Sequence, residues 1–224
     1  MYKSAVLILS AALLAGAPAM AGQLPFDNLN QAQTGRMEPG SGVDYQVRSG
    51  NGRALIVCVY TLNDTALAPT FNGMPLGFVA KSTYPGVGRL GVAAYLLLDA
   101  PEGMYRLVLN GSETATGLIL SFSQAAALDA SSSAEVQGQT SIMDSVTTTR
   151  KNDFLIMCET DSGAGNDAWA HQTVRGSTFL NASGLSIGTR PAPRRGANPL
   201  TIIAGNNRPP TAAMADVLMA FRPF

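Results

Sequence analysis

From Val43 onward the apolar residues fall in short runs, rich in β-branched and aromatic side chains and closed by Gly, Pro, Asn or Asp. That pattern predicts strands and turns, and segments with a helical period are almost absent. The runs place strands over Val43–Val47, Ala54–Leu62, Leu76–Lys81, Val92–Leu98, Met104–Leu109, Leu118–Ser123, Phe154–Thr160, Ala168–Val174, Leu200–Ala204 and Ala215–Phe221. Asn72-Gly73, between Pro69-Thr70-Phe71 and Met74-Pro75-Leu76, predicts a tight hairpin, because both central positions of a type I′ turn need positive φ. Asn110-Gly111 predicts the same device a second time. The fold class is therefore all-β, an antiparallel sandwich of jelly-roll or immunoglobulin-like type.

The two halves match each other. Ala54-Leu55-Ile56-Val57-Cys58-Val59-Tyr60-Thr61 resembles Phe154-Leu155-Ile156-Met157-Cys158-Glu159-Thr160, and the cysteines stand 100 positions apart. Gly117-Leu118-Ile119-Leu120-Ser121-Phe122 resembles Asp216-Val217-Leu218-Met219-Ala220-Phe221, with the phenylalanines 99 apart. Two matches at nearly one offset point to pseudo-repeated halves. One arrangement is a single sandwich over 43–224, each half giving strands to both sheets; the other is two tandem sandwiches, 43–128 and 135–224. The Ala- and Ser-rich stretch Gln124–Ala134 reads as a long crossover in the first and a linker in the second. The single sandwich is preferred, since Val136–Val146 continues into strand-like sequence without a proline-rich spacer.

Several segments together resemble a known group. They are Arg53 ahead of an apolar strand, the Thr70–Leu76 hairpin, the Tyr95–Gly103 corner followed by Tyr105–Leu109, and Leu118–Ser123. Over about Arg53 to Phe221 the chain is similar to β-sandwich modules of secreted bacterial proteins and of phage tail or fibre proteins. It departs from them in having Phe71-Asn72-Gly73 where Tyr-Gly-Gly is common. The motifs of that group are structural, and the resemblance implies a structural or adhesive role.

The first 21 residues add a destination. Lys3, an apolar core through Leu14, Pro18, and Ala19 and Ala21 in an A-x-A arrangement form a secretory signal peptide. That places the mature start at Gly22, with 22–42 as an N-terminal extension, and the expected location is periplasm, cell surface or extracellular space. No later run is long enough for a membrane-spanning helix. Cleavage removes Lys3, the single charge of that segment, so 15 basic against 15 acidic residues become 14 against 15. Such a balance supplies no field for nucleic acid. Hydrophobic residues at 46% argue for a packed core.

Chemical motifs are few. Gly184-Leu185-Ser186-Ile187-Gly188 has the G-x-S-x-G spacing of a nucleophile elbow, which acts only at a sharp strand-to-helix turn with a histidine later in the chain. The single histidine, His171, comes earlier, so Ser186 is expected in a strand; an Asp153 or Asp144, His171, Ser186 order is the remaining hydrolase reading. Gly86-Val87-Gly88-Arg89-Leu90-Gly91 lacks the preceding strand and following helix of a dinucleotide site and reads as a loop. Asp161–Asp167 is dense in oxygen ligands, and with Glu159 it is the candidate calcium site, Asp161, Asp167 and Glu159 being the carboxylates. Trp169 and His171, two apart on a strand, share a face. With Asp167 they form the candidate ligand site, in which Trp169 would stack on a sugar. Cys58 and Cys158 are the only cysteines. In an oxidising compartment they pair, while as mid-strand residues they equally serve as small hydrophobes.

Together these features predict a non-enzymatic, exported surface or structural module for adhesion or assembly. It would meet a protein or glycan at the cell surface, with self-association as one form of partnership. A carbohydrate-binding module using Trp169 is the alternative, and a serine hydrolase built on Ser186 the third reading. No cofactor is expected other than calcium.

Overall fold

The computed structural model describes residues 33–37, 40, 42–61, 67–84, 90–111, 115–163, 168–169, 172–180, 183–203 and 212–224. The predicted signal peptide lies outside them. In chain order the strands are β1 (Gln33–Met37), β2 (Gly42–Val47), β3 (Ala54–Thr61), β4 (Pro69–Phe71), β5 (Met74–Pro75), β6 (Gly77–Thr83), β7 (Gly91–Leu98), β8 (Gly103–Leu109) and β9 (Ala115–Phe122). The second half adds β10 (Ala125–Gln137), β11 (Ser141–Thr148), β12 (Asp153–Asp161), β13 (Ala168–Trp169), β14 (Thr173–Leu180), β15 (Ser183–Ala192), β16 (Gly196–Ile203) and β17 (Ala213–Pro223). There is no helix among the described residues.

The strands make four antiparallel sheets. Sheet I runs β1-β9-β3-β7-β6, sheet II β2-β8-β4-β5, sheet III β10-β17-β12-β15-β14 and sheet IV β11-β16-β13. Three buried apolar clusters fix their stacking. Tyr45, Val57 and Phe71 belong to a cluster between sheets II and I. Ile56, Cys58, Phe122, Ile156, Cys158 and Phe221 belong to one between sheets I and III. Ile142, Val146, Leu155, Leu200 and Leu218 belong to one between sheets III and IV. The layer order is therefore II, I, III, IV.

A simple sandwich has two sheets around one core, and four layers arise here for a reason visible in the strands. Successive side chains of a strand point to opposite faces. In β3, Ile56 and Cys58 face sheet III while Leu55 and Val57 face sheet II. Such a strand is apolar on both faces and needs cover on both. Accordingly β9, β12 and the first nine residues of β17 are buried at every position. Outer-layer strands need cover on one side only, and β11 alternates strictly between exposed and buried. Both Ala54–Leu62 and Phe154–Thr160 correspond to the middle strands of five-stranded sheets.

Asn72 and Gly73 have φ of 51° and 73° between the paired residues Phe71 and Met74, as the type I′ turn requires. Asn110-Gly111 does not repeat it. Asn110 is not among the residues with positive φ, because β8 and β9 belong to different sheets and the chain crosses a layer there. Asn110 instead donates through Nδ2 to the carbonyl of Ala68 at 2.8 Å. A layer change also divides the segment predicted as one strand over Ala168–Val174: β13 belongs to sheet IV and β14 to sheet III. Gln124–Ala134, read as a crossover or a linker, supplies most of β10, an edge strand paired to β17 from end to end.

The halves are tied across the I–III layer. Cys58 and Cys158, both fully buried, form a disulfide with Cα atoms 5.7 Å apart. Phe122 and Phe221 meet edge to face with centroids 5.1 Å apart. Tyr60 donates its hydroxyl to Ser183 Oγ at 3.1 Å, and the Tyr84 and Thr160 hydroxyls lie 2.8 Å apart.

Candidate functional site

Polar chemistry in the interior concentrates in the III–IV layer. On β12, Asp153, Glu159 and Asp161 fall in phase with Leu155 and Met157, and on β17, Asp216 and Arg222 fall in phase with Leu218 and Ala220. Strand register sets Glu159 directly beside Asp216. From the opposite sheet Asp144 enters between Ile142 and Val146, the inward residues of β11. Asp153, Glu159 and Asp216 are wholly buried.

Two aspartate pairs result. Asp144 already has donors: Ser132 Oγ reaches its Oδ2 at 2.9 Å, and the Ser145 N–H reaches its Oδ1 at 2.6 Å. No side-chain donor other than Asp144 reaches Asp216, and the side-chain hydrogen bond between the two needs a proton on one of them. Burial, then the charge of Asp144 and the shared hydrogen bond, push Asp216 up to about 9 against the pull of the Ala134 N–H. The second pair stands near the chain end. Asp129 is the extra residue of a β-bulge between Leu128 and Ala130, and the bulge aims it at the III–IV layer. Burial by itself would raise Asp129, but the Thr149 hydroxyl at 2.5 Å, the Thr149 N–H at 2.6 Å and Arg222 Nη2 at 2.6 Å hold it well below the usual carboxylate range. Asp153 has no such donors; burial and the neighbouring Asp129 push it up to about 7, against the pull of Arg222 and Arg150.

The residues singled out in the sequence are dispersed. Ser186 lies within β15, half-buried and paired to Glu159 on one side and Ser177 on the other, so it occupies a mid-sheet position and not a strand-to-helix turn. Asp161 accepts a hydrogen bond on Oδ1 from the Gly163 N–H at 2.7 Å, which closes the start of the acidic loop. Asp167, its partner in the predicted calcium site, lies outside the described residues, as do His171 and residues 86–89 of the glycine-rich segment. Glu159 faces the III–IV interior. Among the described residues no cluster of three or more His, Cys, Asp or Glu is arranged to hold a metal ion. Trp169 belongs to β13, an edge strand of sheet IV, and pairs with Ile202.

Asp129, Asp216 and Arg222 were not among the candidates read from the sequence. The signal for Asp216 was an acidic residue inside an otherwise apolar run, which demands a partner when the strand is buried on both faces. Asp129 carried no local signal, because its role depends on a bulge and on a residue 93 positions away.

The outer face of sheet IV is different in kind. Ser141, Met143, Ser145 and Thr147 on β11 stand opposite Ile203, Thr201, Pro199 and Ala197 on β16, and none is charged. Met143 is 68% exposed and Ile203 47%. Comparison with protein-family models, with curated proteins and with solved structures gives no match to this chain.

Proposed function

We propose that this chain is a non-enzymatic exported structural module that works by surface contact, in adhesion or assembly, and that it is built from two related halves, each a two-sheet sandwich. The observation that carries the contact role is the uncharged outer face of β11 and β16, where an exposed methionine and isoleucine sit among small side chains. The disulfide and the doubly covered central sheets support it by giving that face a rigid backing, and a disulfide is in keeping with an oxidising compartment. Strand order supports the duplication. With β10, β17, β12, β15 and β14 set against β1, β9, β3, β7 and β6, sheet III follows the order of sheet I, and β11-β16-β13 follows β2-β8-β4.

The test uses labelled, disulfide-bonded protein against isolated cell envelopes and against itself. Saturable binding, or self-association by ultracentrifugation, that is weakened ten-fold or more by Met143→Glu is the expected result. Neither interaction, or hydrolysis of esters, peptides or glycans at ordinary enzyme rates, overturns the reading.

A carbohydrate-binding reading rests on the place of Trp169 at the edge of that same sheet, where sandwiches can present an aromatic platform. Glycan binding abolished by Trp169→Ala would establish it. Binding unchanged by that substitution, or none, would remove it.

A further inference from the structure

We propose that the aspartate pairs Asp216–Asp144 and Asp153–Asp129 are proton-held clasps that fasten the β10–β11 edge to β17 and β12, and that this edge loosens when the pairs lose their shared protons. β10 and β11 are the outermost strands of sheets III and IV and follow one another through the turn at Gly138. Each clasp bridges this edge to the interior strands. Asp144, on β11, is also gripped by Ser132 of β10, and its proton-sharing partner is on β17. Asp129, on β10, is gripped by Thr149 just beyond β11 and by Arg222 of β17, and its partner opens β12.

The proton is required by the donor count. Asp216 and Asp153 are wholly buried and each meets only a second carboxyl among side chains, the Ala134 N–H being the smallest influence on Asp216, so as carboxylates each would face another carboxylate in the interior. The surrounding charges do not offset this at Asp216. The groups facing the clasps are Asp129 from β10, Asp144 from β11, Asp153, Glu159 and Asp161 from β12, and Asp216 and Arg222 from β17. Arg150 precedes β12, Arg190 on β15 donates to the Pro199 carbonyl, Lys81 lies on β6 beside β10, and β16 has no titratable residue. Arg222 forms an ion pair with a clasp residue, Asp129.

The direction follows from linkage. Both Asp216 and Asp153 are raised in the folded state above the ordinary 3.8, so the closed edge binds protons that the open edge releases. Their stabilisation is complete below about 4 and is lost as pH rises, through about 7 for Asp153 and about 9 for Asp216. Asp129, held low, acts oppositely: its contribution is present above the ordinary value and lost in strong acid. The edge is therefore tightest in mildly acidic solution.

Hydrogen–deuterium exchange of the full disulfide-bonded chain between pH 5 and 9, corrected for intrinsic exchange, tests this. Peptides within 125–148 should lose protection about ten-fold per pH unit from 7 to 9, the slope for one released proton, while peptides within 54–61 keep theirs. Asp216→Asn keeps a donor for Asp144 without ionising and should abolish the dependence above pH 7. Between pH 5 and 7 both groups release a proton on opening, so the loss there should be about hundred-fold per unit, and Asp153→Asn should reduce it to about ten-fold. Protection of 125–148 that is constant from pH 5 to 9, loss that is uniform over the chain, or an unchanged slope in both variants overturns the proposal. Should a variant not fold, the profile of the unaltered chain decides alone.

Discussion

The contact of Phe122 with Phe221 tests whether the halves form one cooperative structure. Each ring is wholly buried in the I–III layer, one from each half, in a T-shaped contact at 5.1 Å with planes 79° apart. Removing a buried phenylalanine ring costs about 3–5 kcal/mol through lost transfer energy and the cavity left behind. The aromatic pair itself contributes about 0.5–1.5 kcal/mol beyond burial. Phe122→Ala and Phe221→Ala should each therefore lower stability by about 3–5 kcal/mol. For a chain of this size that is roughly 10 °C in the thermal midpoint. The double variant should fall short of additivity by about 0.5–1.5 kcal/mol or more, since the second truncation enlarges an existing cavity. The assay is urea denaturation followed by circular dichroism, with the disulfide intact and calorimetry as a check on two-state behaviour. Strictly additive effects, or two separate transitions of which Phe221→Ala moves only one, would refute the view that the I–III layer joins the halves into one unit.

Replacing both Cys58 and Cys158 by Ala should cost about 4–5 kcal/mol, because the bond closes a loop of 100 residues; denaturation curves measure it, and reductant should leave the folded protein unaffected while both cysteines remain buried. Gly91→Ala should be severe, since the added methyl runs into the backbone of Ser82 and Thr83 where β6 pairs with β7, whereas Gly73→Ala meets open space and costs only about 1 kcal/mol for its φ of +73°. Arg222→Ala should cost about 2–4 kcal/mol at neutral pH, somewhat less than breaking a fully buried pair because Arg222 is 30% exposed, and the cost should shrink as acid protonates Asp129. A fragment ending at Ala130 should fail to fold cooperatively by circular dichroism, since it exposes the face of sheet I that sheet III covers.

Short runs of alternating or continuous apolar residues were enough to establish an all-β chain, because the two-residue period of a strand is written directly into side-chain order. They located the middle strands β3 and β12, the Asn72-Gly73 turn and the matching positions of Cys58 and Cys158. The four-layer stack was encoded less openly. Ala54–Tyr60 is apolar at every position, which says that both faces are covered but not by what. Sequence cannot tell a turn within a sheet from a crossing between sheets, so Asn110-Gly111 and Ala168–Val174 differ from the reading, and most of β10 reads as a crossover or a linker because its Ala and Ser side chains are small on both faces. The aspartate pairs were hidden for a deeper reason. A buried carboxyl is defined by which donors reach it, and those donors come from Ser132, Thr149 and Arg222, on segments brought together only by the packing of sheet III against sheet IV. Local pattern fixes which way a side chain points within its strand, while its chemical environment is set by tertiary neighbours that no local pattern names.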